Sequence, residues 1–212
     1  SVKWRRDYLS LLIREDLRDL SRIRDIQGVE HLVLLLPERI GSPVSVNALR
    51  NDLEVNHRTV RDWLNALEKI YLLFSIMPWS ARIARAIRKE RKYYFWDWTM
   101  AAGEGAVFEN FVAVLLLRLV ARWNELGLGD FDLRYVRNQQ GREVDFVLVK
   151  NRRPIALFEA KTSDTNLAKE GVYFGDMLRV PYYQIVRDGD VVESRPGLRY
   201  ILPAARFLPL LG

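Results

Sequence analysis

Three side chains in the stretch EVDFVLVKNRRPIALFEAKTS, residues 143–163, have the types and spacing of a metal-assisted site: Asp145, Glu159 and Lys161. The stretch reads as two strands joined by a basic turn at NRRP, residues 151–154. The run IALF is apolar on both faces, which marks a central strand covered on both sides. Alternation with period two then predicts Ile155, Leu157, Glu159 and Lys161 on one face, so that face changes from apolar to charged at the strand's C-terminal end. In the neighbouring strand Glu143 and Asp145 share a face, and hairpin pairing is expected to bring Asp145 close to Glu159. Two carboxylates about 4 Å apart repel by roughly 4 kcal/mol at an effective dielectric near 20, so they require a proton, a cation or a partner. A hard cation such as Mg²⁺, or Mn²⁺, suits oxygen ligands of this kind. Lys161 beside it would orient or activate water and stabilise charge building on a phosphoryl group.

A third acid comes from elsewhere in the chain. In FENFVAVLLLRLVARW, Glu109 is in line with Val112, Ala113, Leu116, Val120 and Trp123, the apolar stripe of a helix, while Arg118 and Arg122 lie opposite. A carboxylate on the buried stripe needs either a nearby cation and the helix dipole or a functional partner.

The pattern D-x13-E-x-K on adjoining strands, after a helix carrying Glu, resembles the PD-(D/E)xK nuclease superfamily. The resemblance implies an αβββαβ core, Mg²⁺ and phosphodiester hydrolysis. It makes Asp145 and Glu159 metal ligands, with the carbonyl of Ala160 as a further metal contact, Lys161 the catalytic lysine and Glu109 an auxiliary acid. The proline usual before the aspartate is replaced here by Val144. The order of motifs along the chain, from WRRDYLSLLIREDLRDL through RTVRDWLNALEKIYLL, FWDW, FENFV, EVDFVLV and FEAKTS, is similar to the C-terminal region of bacterial and archaeal AAA-type ATPases. That similarity implies an ATPase module elsewhere in the full-length protein as a partner. No G-x-x-x-x-G-K-[ST] motif occurs, so no ATP site is assigned to this chain.

The elements expected to carry the acids are a helix at 106–123, strands at 131–136, 143–149 and 155–161, a helix at 164–179 and a strand at 182–186. The helical crossover before PYYQIV implies a parallel return. A restriction-endonuclease-like αβββαβ domain is thus expected over residues 100–212, following a boundary in the small-residue stretch MAAGEG.

Residues 1–99 are expected to form a helical, winged-helix domain. An amphipathic helix is predicted over 4–20, followed by a second apolar segment, VEHLVLLLPERIG, that ends at Pro37–Gly41. Residues 44–73 divide into two short helices about a turn at Glu54–Asn56, with Ser45 and Asn56 as N-caps. YLLFSIM and KYYFWDW read as strands on either side of the basic stretch ARIARAIRKERK. This spacing is that of a helix-turn-helix with a wing, and the residues expected to face duplex DNA are His57, Arg58 and Arg61 on the second helix with Arg82, Arg85, Arg88 and Lys89 in the wing.

Charge supports that expectation. Of the formal net charge of +6, residues 1–97 carry +5 and residues 98–212 carry +1. Arginine supplies 26 of the 33 basic residues, and guanidinium forks suit phosphate. The 212 residues include no cysteine, which excludes disulfides and thiolate metal sites and agrees with a cytoplasmic setting. Apolar runs such as VAVLLL are broken by arginine well short of the about 20 residues a membrane span needs. The opening SVKWRRDYL, without methionine, is expected of a fragment. Against the metal-dependent nuclease stands a non-catalytic DNA- or protein-binding module regulating the ATPase; a plain transcription regulator or a helical packing module accounts for the N-terminal half alone.

Overall fold

The computed structural model describes residues 25–80, 90–163, 166–189 and 192–211. The expected helix at 4–20 and the basic residues Arg82, Arg85, Arg88 and Lys89 lie outside these ranges. Among the described residues the chain is a mixed α/β protein with a single nine-stranded sheet and six α-helices.

The first half builds from short capped elements. Helix α1 (Ile26–Leu35) starts at Asp25, whose carboxylate accepts from Gly28 N at 2.8 Å. The two-residue strand β1 (Pro43–Val44) leads into α2 (Val46–Asp52) and α3 (His57–Lys69). Ser45 and Asn56 cap these helices as their side chains require, accepting from Ala48 N at 3.4 Å and Thr59 N at 2.9 Å. Helix α3 buries Val60, Trp63, Leu64 and Leu67, and leaves His57, Arg58 and Arg61 exposed. Strands β2 (Leu73–Pro78) and β3 (Arg91–Phe95) pair antiparallel, and β3 also pairs with β1.

The second half opens with α4 (Glu104–Glu125), followed by β4 (Phe131–Arg137), β5 (Glu143–Lys150) and β6 (Arg153–Lys161), an antiparallel meander. Helix α5 (Lys169–Leu178) returns the chain to β7 (Tyr182–Val186), parallel to β6. Strands β8 (Glu193–Arg195) and β9 (Arg199–Pro203) and the short α6 (Ala204–Phe207) were not anticipated from sequence; β9 lies parallel to β7. None of the described helices is long and apolar enough to cross a membrane.

Strand β2 runs parallel to β4 through the pairs Met77↔Arg134 and Pro78↔Tyr135, so one sheet, ordered β1-β3-β2-β4-β5-β6-β7-β9-β8, spans both halves. The two faces of its centre are covered differently. Phe146, Leu148 and Phe158 pack in the core that includes Val112, Ala113 and Leu116 of α4; Val147, Val149 and Leu157 pack with Phe174 of α5 and Tyr182. Ile155 corrects the expected alternation. A register shift between β5 and β6 at Leu148/Val149 moves it out of line, and it packs with the α4-side core while Leu157 faces α5.

Asn110 fastens α4 to the end of β3. Its fully buried amide accepts from Phe95 N at 2.9 Å and donates to Phe95 O at 2.7 Å. Asn110→Ala strands both backbone groups in the core, and the expected loss is about 2–4 kcal/mol, read as a lowered midpoint in thermal or denaturant unfolding.

Candidate active site

Four carboxylates converge where β5 begins and β6 ends. On the α4 side, Glu109 accepts from Tyr94 Oη at 2.8 Å, and Lys92 Nζ lies 3.5 Å from the same oxygen. The turn before β1 closes over this carboxylate at Gly41, whose φ is 78° and where an added Cβ would lie 2.7 Å from Glu109 Oε2. Only glycine meets both demands. Lys92 is fully buried, and its ammonium also lies 2.7 Å from Glu143 Oε1, 3.6 Å from Asp145 Oδ1 and 5.5 Å from the centre of the Tyr135 ring.

Asp145 links the two sides of the sheet. The β5–β6 ladder ends at Phe146↔Phe158, and beyond it Asp145 Oδ2 accepts from Ala160 N at 3.0 Å, taking the place of a ladder partner. In an extended strand the N–H and C=O of one residue point the same way, so the Ala160 carbonyl also faces the β5 side. On the α5 side, Lys161 Nζ lies 2.7 Å from Glu159 Oε1, and Tyr182 Oη is 3.1 Å from Glu159 Oε2. Bare backbone of α5 rests on the Tyr182 ring, since a Cβ on Gly171 would lie 2.0 Å from its Cζ. Buried Gln184 holds the loop after β6, accepting from Ala168 N at 2.9 Å and donating to Asn166 O at 2.8 Å.

The electrostatics record an excess of negative charge. Burial and the Asp145 charge push Glu109 up to about 7, against the pull of Lys92 and Tyr94. Burial and the same Asp145 charge raise Glu159, opposed by Lys161 and Tyr182. For Lys92 burial works against the charge, yet Glu109, Asp145 and Glu143 outweigh it and hold the ammonium above its ordinary range. Among the described residues no three His, Cys, Asp or Glu side chains are grouped to hold a metal by themselves. The donors present are two carboxylates and a carbonyl, all oxygen, with the carboxylate charge partly offset by Lys92 and Lys161. That set suits a hard cation whose shell is completed by water or phosphate oxygen.

The sequence-derived residues Glu109, Asp145, Glu159, Ala160 and Lys161 are therefore neighbours at one end of the central strands. His57, Arg58 and Arg61 stand apart on α3. Arg58 lies 3.8 Å from Asp62, and His57 and Arg61 line a polar concavity of about 520 Å³ together with Asn65 and Arg91. Lys92 was missed. It reads as the last residue of the basic stretch ARIARAIRKERK and the first of KYYFWDW, but it shares a strand face with Tyr94, and both reach Glu109. A lysine two residues from a core aromatic in an otherwise apolar strand was the available signal.

Residues 1–103 match a domain of unknown function, DUF8612, and residues 104–207 match a second, DUF4143. The chain is 25% identical over 172 residues to the uncharacterized proteins Rv2008c of Mycobacterium tuberculosis and Mb2031c of Mycobacterium bovis; the match covers 78% of this chain and 39% of either relative. A solved assembly of Thermococcus gammatolerans McrB AAA+ hexamers with bound McrC aligns with a TM-score of 0.33 and 10% identity, over 92% of this chain and 44% of that one.

The raised Glu109 makes stability depend on pH. Between its ordinary value of 4.5 and about 7 the folded chain keeps a proton that the unfolded chain has lost, so stability falls as pH rises through that window. Glu109→Gln is expected to reduce this fall, leaving the smaller share that raised Glu159 contributes, and to unfold at higher temperature than the parent at pH 8, by the equivalent of roughly 1–3 kcal/mol. Melting curves from pH 4 to pH 8 check it.

Proposed function

We propose that this chain is a nuclease module that hydrolyses phosphodiester bonds with Mg²⁺ or Mn²⁺. The observation that carries the reading is the meeting of Asp145, Glu159, the Ala160 backbone and Lys161 at the end of β6. The succession α4, β4, β5, β6, α5, β7 supports a restriction-endonuclease-like arrangement of residues 100–212. Asp145, Glu159 and the Ala160 carbonyl would hold the ion. Once bound, it would polarise a phosphoryl oxygen and lower the pKa of water. Lys161, part-exposed and ion-paired with Glu159, presents its ammonium where charge builds on the phosphate. Tyr182 fixes the Glu159 carboxylate from below, and Glu109 serves as an auxiliary acid behind Asp145.

The order α1, β1, α2, α3, β2, β3, with strands arranged β1-β3-β2, supports a winged helix over residues 1–99. Its exposed His57, Arg58 and Arg61, together with Arg82, Arg85, Arg88 and Lys89, would hold duplex DNA through phosphates. In the cytoplasmic full-length protein an AAA-type ATPase module would accompany this chain, as the sequence resemblance implies. A non-catalytic regulatory module is the competing reading, and one observation favours it: Lys92 already gives the acids an internal cation.

Lys161→Ala should lower metal-dependent cleavage of DNA by about 10² or more while the unfolding midpoint stays close to the parent's. Linear, branched and single-stranded substrates with Mg²⁺ or Mn²⁺ form the assay, and cleavage that survives the substitution would refute the assigned role. Arg58→Ala with Arg61→Ala should weaken duplex binding by about an order of magnitude and flatten its dependence on salt, measured by fluorescence anisotropy at several salt concentrations.

A further inference from the structure

Lys92 is a lysine with no solvent exposure, and its nearest ionic partners are acids of another part of the chain. It belongs to β3, within the DUF8612 match, whereas Glu109, Glu143 and Asp145 all lie within the DUF4143 match. Neighbouring Arg91 points the opposite way, toward Glu68 and Ser75 and the concavity lined by His57 and Arg61. Neither neighbour of Lys92 along the strand can therefore replace its charge in the cluster. The position of the ammonium matters as well. It faces Asp145 Oδ1, while Oδ2 is already held by Ala160 N.

We propose that Lys92 is the resident counter-ion of the acid cluster, a positioning residue that competes with a divalent cation for the charge of Asp145 and so sets the metal affinity of the site. The inference rests on the reading of Asp145 and Glu159 as metal ligands and adds a regulatory element to it. In the metal-free protein the cluster is held together by its own ammonium. A metal ion entering beside Asp145 meets a carboxylate whose charge is partly spent, and repulsion from the lysine as well. The site is thereby composite, with ligands from the C-terminal half and the opposing charge from the N-terminal half. Glu143 moderates the competition, because at 2.7 Å it is the acid nearest the ammonium.

The test is binding of Mn²⁺ alone, counted by loss of the free-ion electron paramagnetic resonance signal, on the full chain with fold checked by circular dichroism. Lys92→Met is expected to bind Mn²⁺ at least tenfold more tightly than the parent, and Lys92→Arg within about threefold of it. A folded Lys92→Met with unchanged or weaker binding overturns the proposal. Should that variant not fold, Glu143→Gln decides: it keeps the ammonium and removes an acid outside the metal set, so Mn²⁺ binding should weaken several-fold, and unchanged affinity, or no uptake by the parent, overturns the proposal. If the parent takes up no Mn²⁺ but folded Lys92→Met does, the counter-ion role stands and the parent's metal-dependent activity falls. If neither binds, both fall. Parent cleavage on DNA judges the nuclease reading separately, since it can persist when Lys92→Met leaves affinity unchanged.

Discussion

The placement of one ammonium without solvent organises the centre of this protein. A lysine taken out of water forfeits hydration worth several kcal/mol, and it is tolerated only where opposite charge and hydrogen bonds replace the water. Lys92 obtains that replacement from Glu109, Glu143 and Asp145, which come from α4 and β5. Those elements must therefore be held at fixed distance from β3. Asn110 secures the α4 side by bonding both backbone groups of Phe95, and β4, the strand paired with β5, is tied to the residue before β3 by the Tyr135 hydroxyl, which donates to Glu90 O at 2.5 Å. The aromatic layer around the charge, Tyr94, Tyr135 and Phe146, keeps water away and leaves the acids as the ammonium's neighbours.

The same arrangement explains why the acid cluster has two unlike sides. Toward α4 the carboxylates meet a buried cation. Toward α5, Glu159 is tied to part-exposed Lys161 and to Tyr182. Asp145 contributes to both, and its charge raises Glu109 on one side and Glu159 on the other. A single carboxylate thus couples two groups that face opposite layers of the sheet.

Much of this was legible in the chain. The caps Ser45 and Asn56, the apolar stripe of α4 and the central run IALF depend on local preferences and periodicity, and those survive into the fold. Asp145, Glu159 and Lys161 were legible because charge at the end of an apolar strand is costly without a partner. Lys92 was not, because its partners lie 17 to 53 positions further along the chain, and in sequence it closes a basic run whose neighbouring Arg91 remains at the surface. The displacement of Ile155 was hidden for a different reason. A β-bulge is set by how two strands meet, and the alternation within one strand carries no trace of it. The β2–β4 junction is likewise a tertiary choice, made by two residue pairs and the hydrogen bond from Trp79 N to Tyr135 O.

The sheet's two margins differ from its centre in a way that bears on assembly. Among the described residues one edge is β1, two residues long and beginning with Pro43; the other is β8, three residues long, Glu-Ser-Arg. An open edge recruits foreign strands only when it offers a long row of unpaired amides, and short, charged or proline-bearing edges deny that row. These two described edges therefore offer little purchase for strand addition. At high local concentration two copies of this chain meeting at these edges are poor templates for one another.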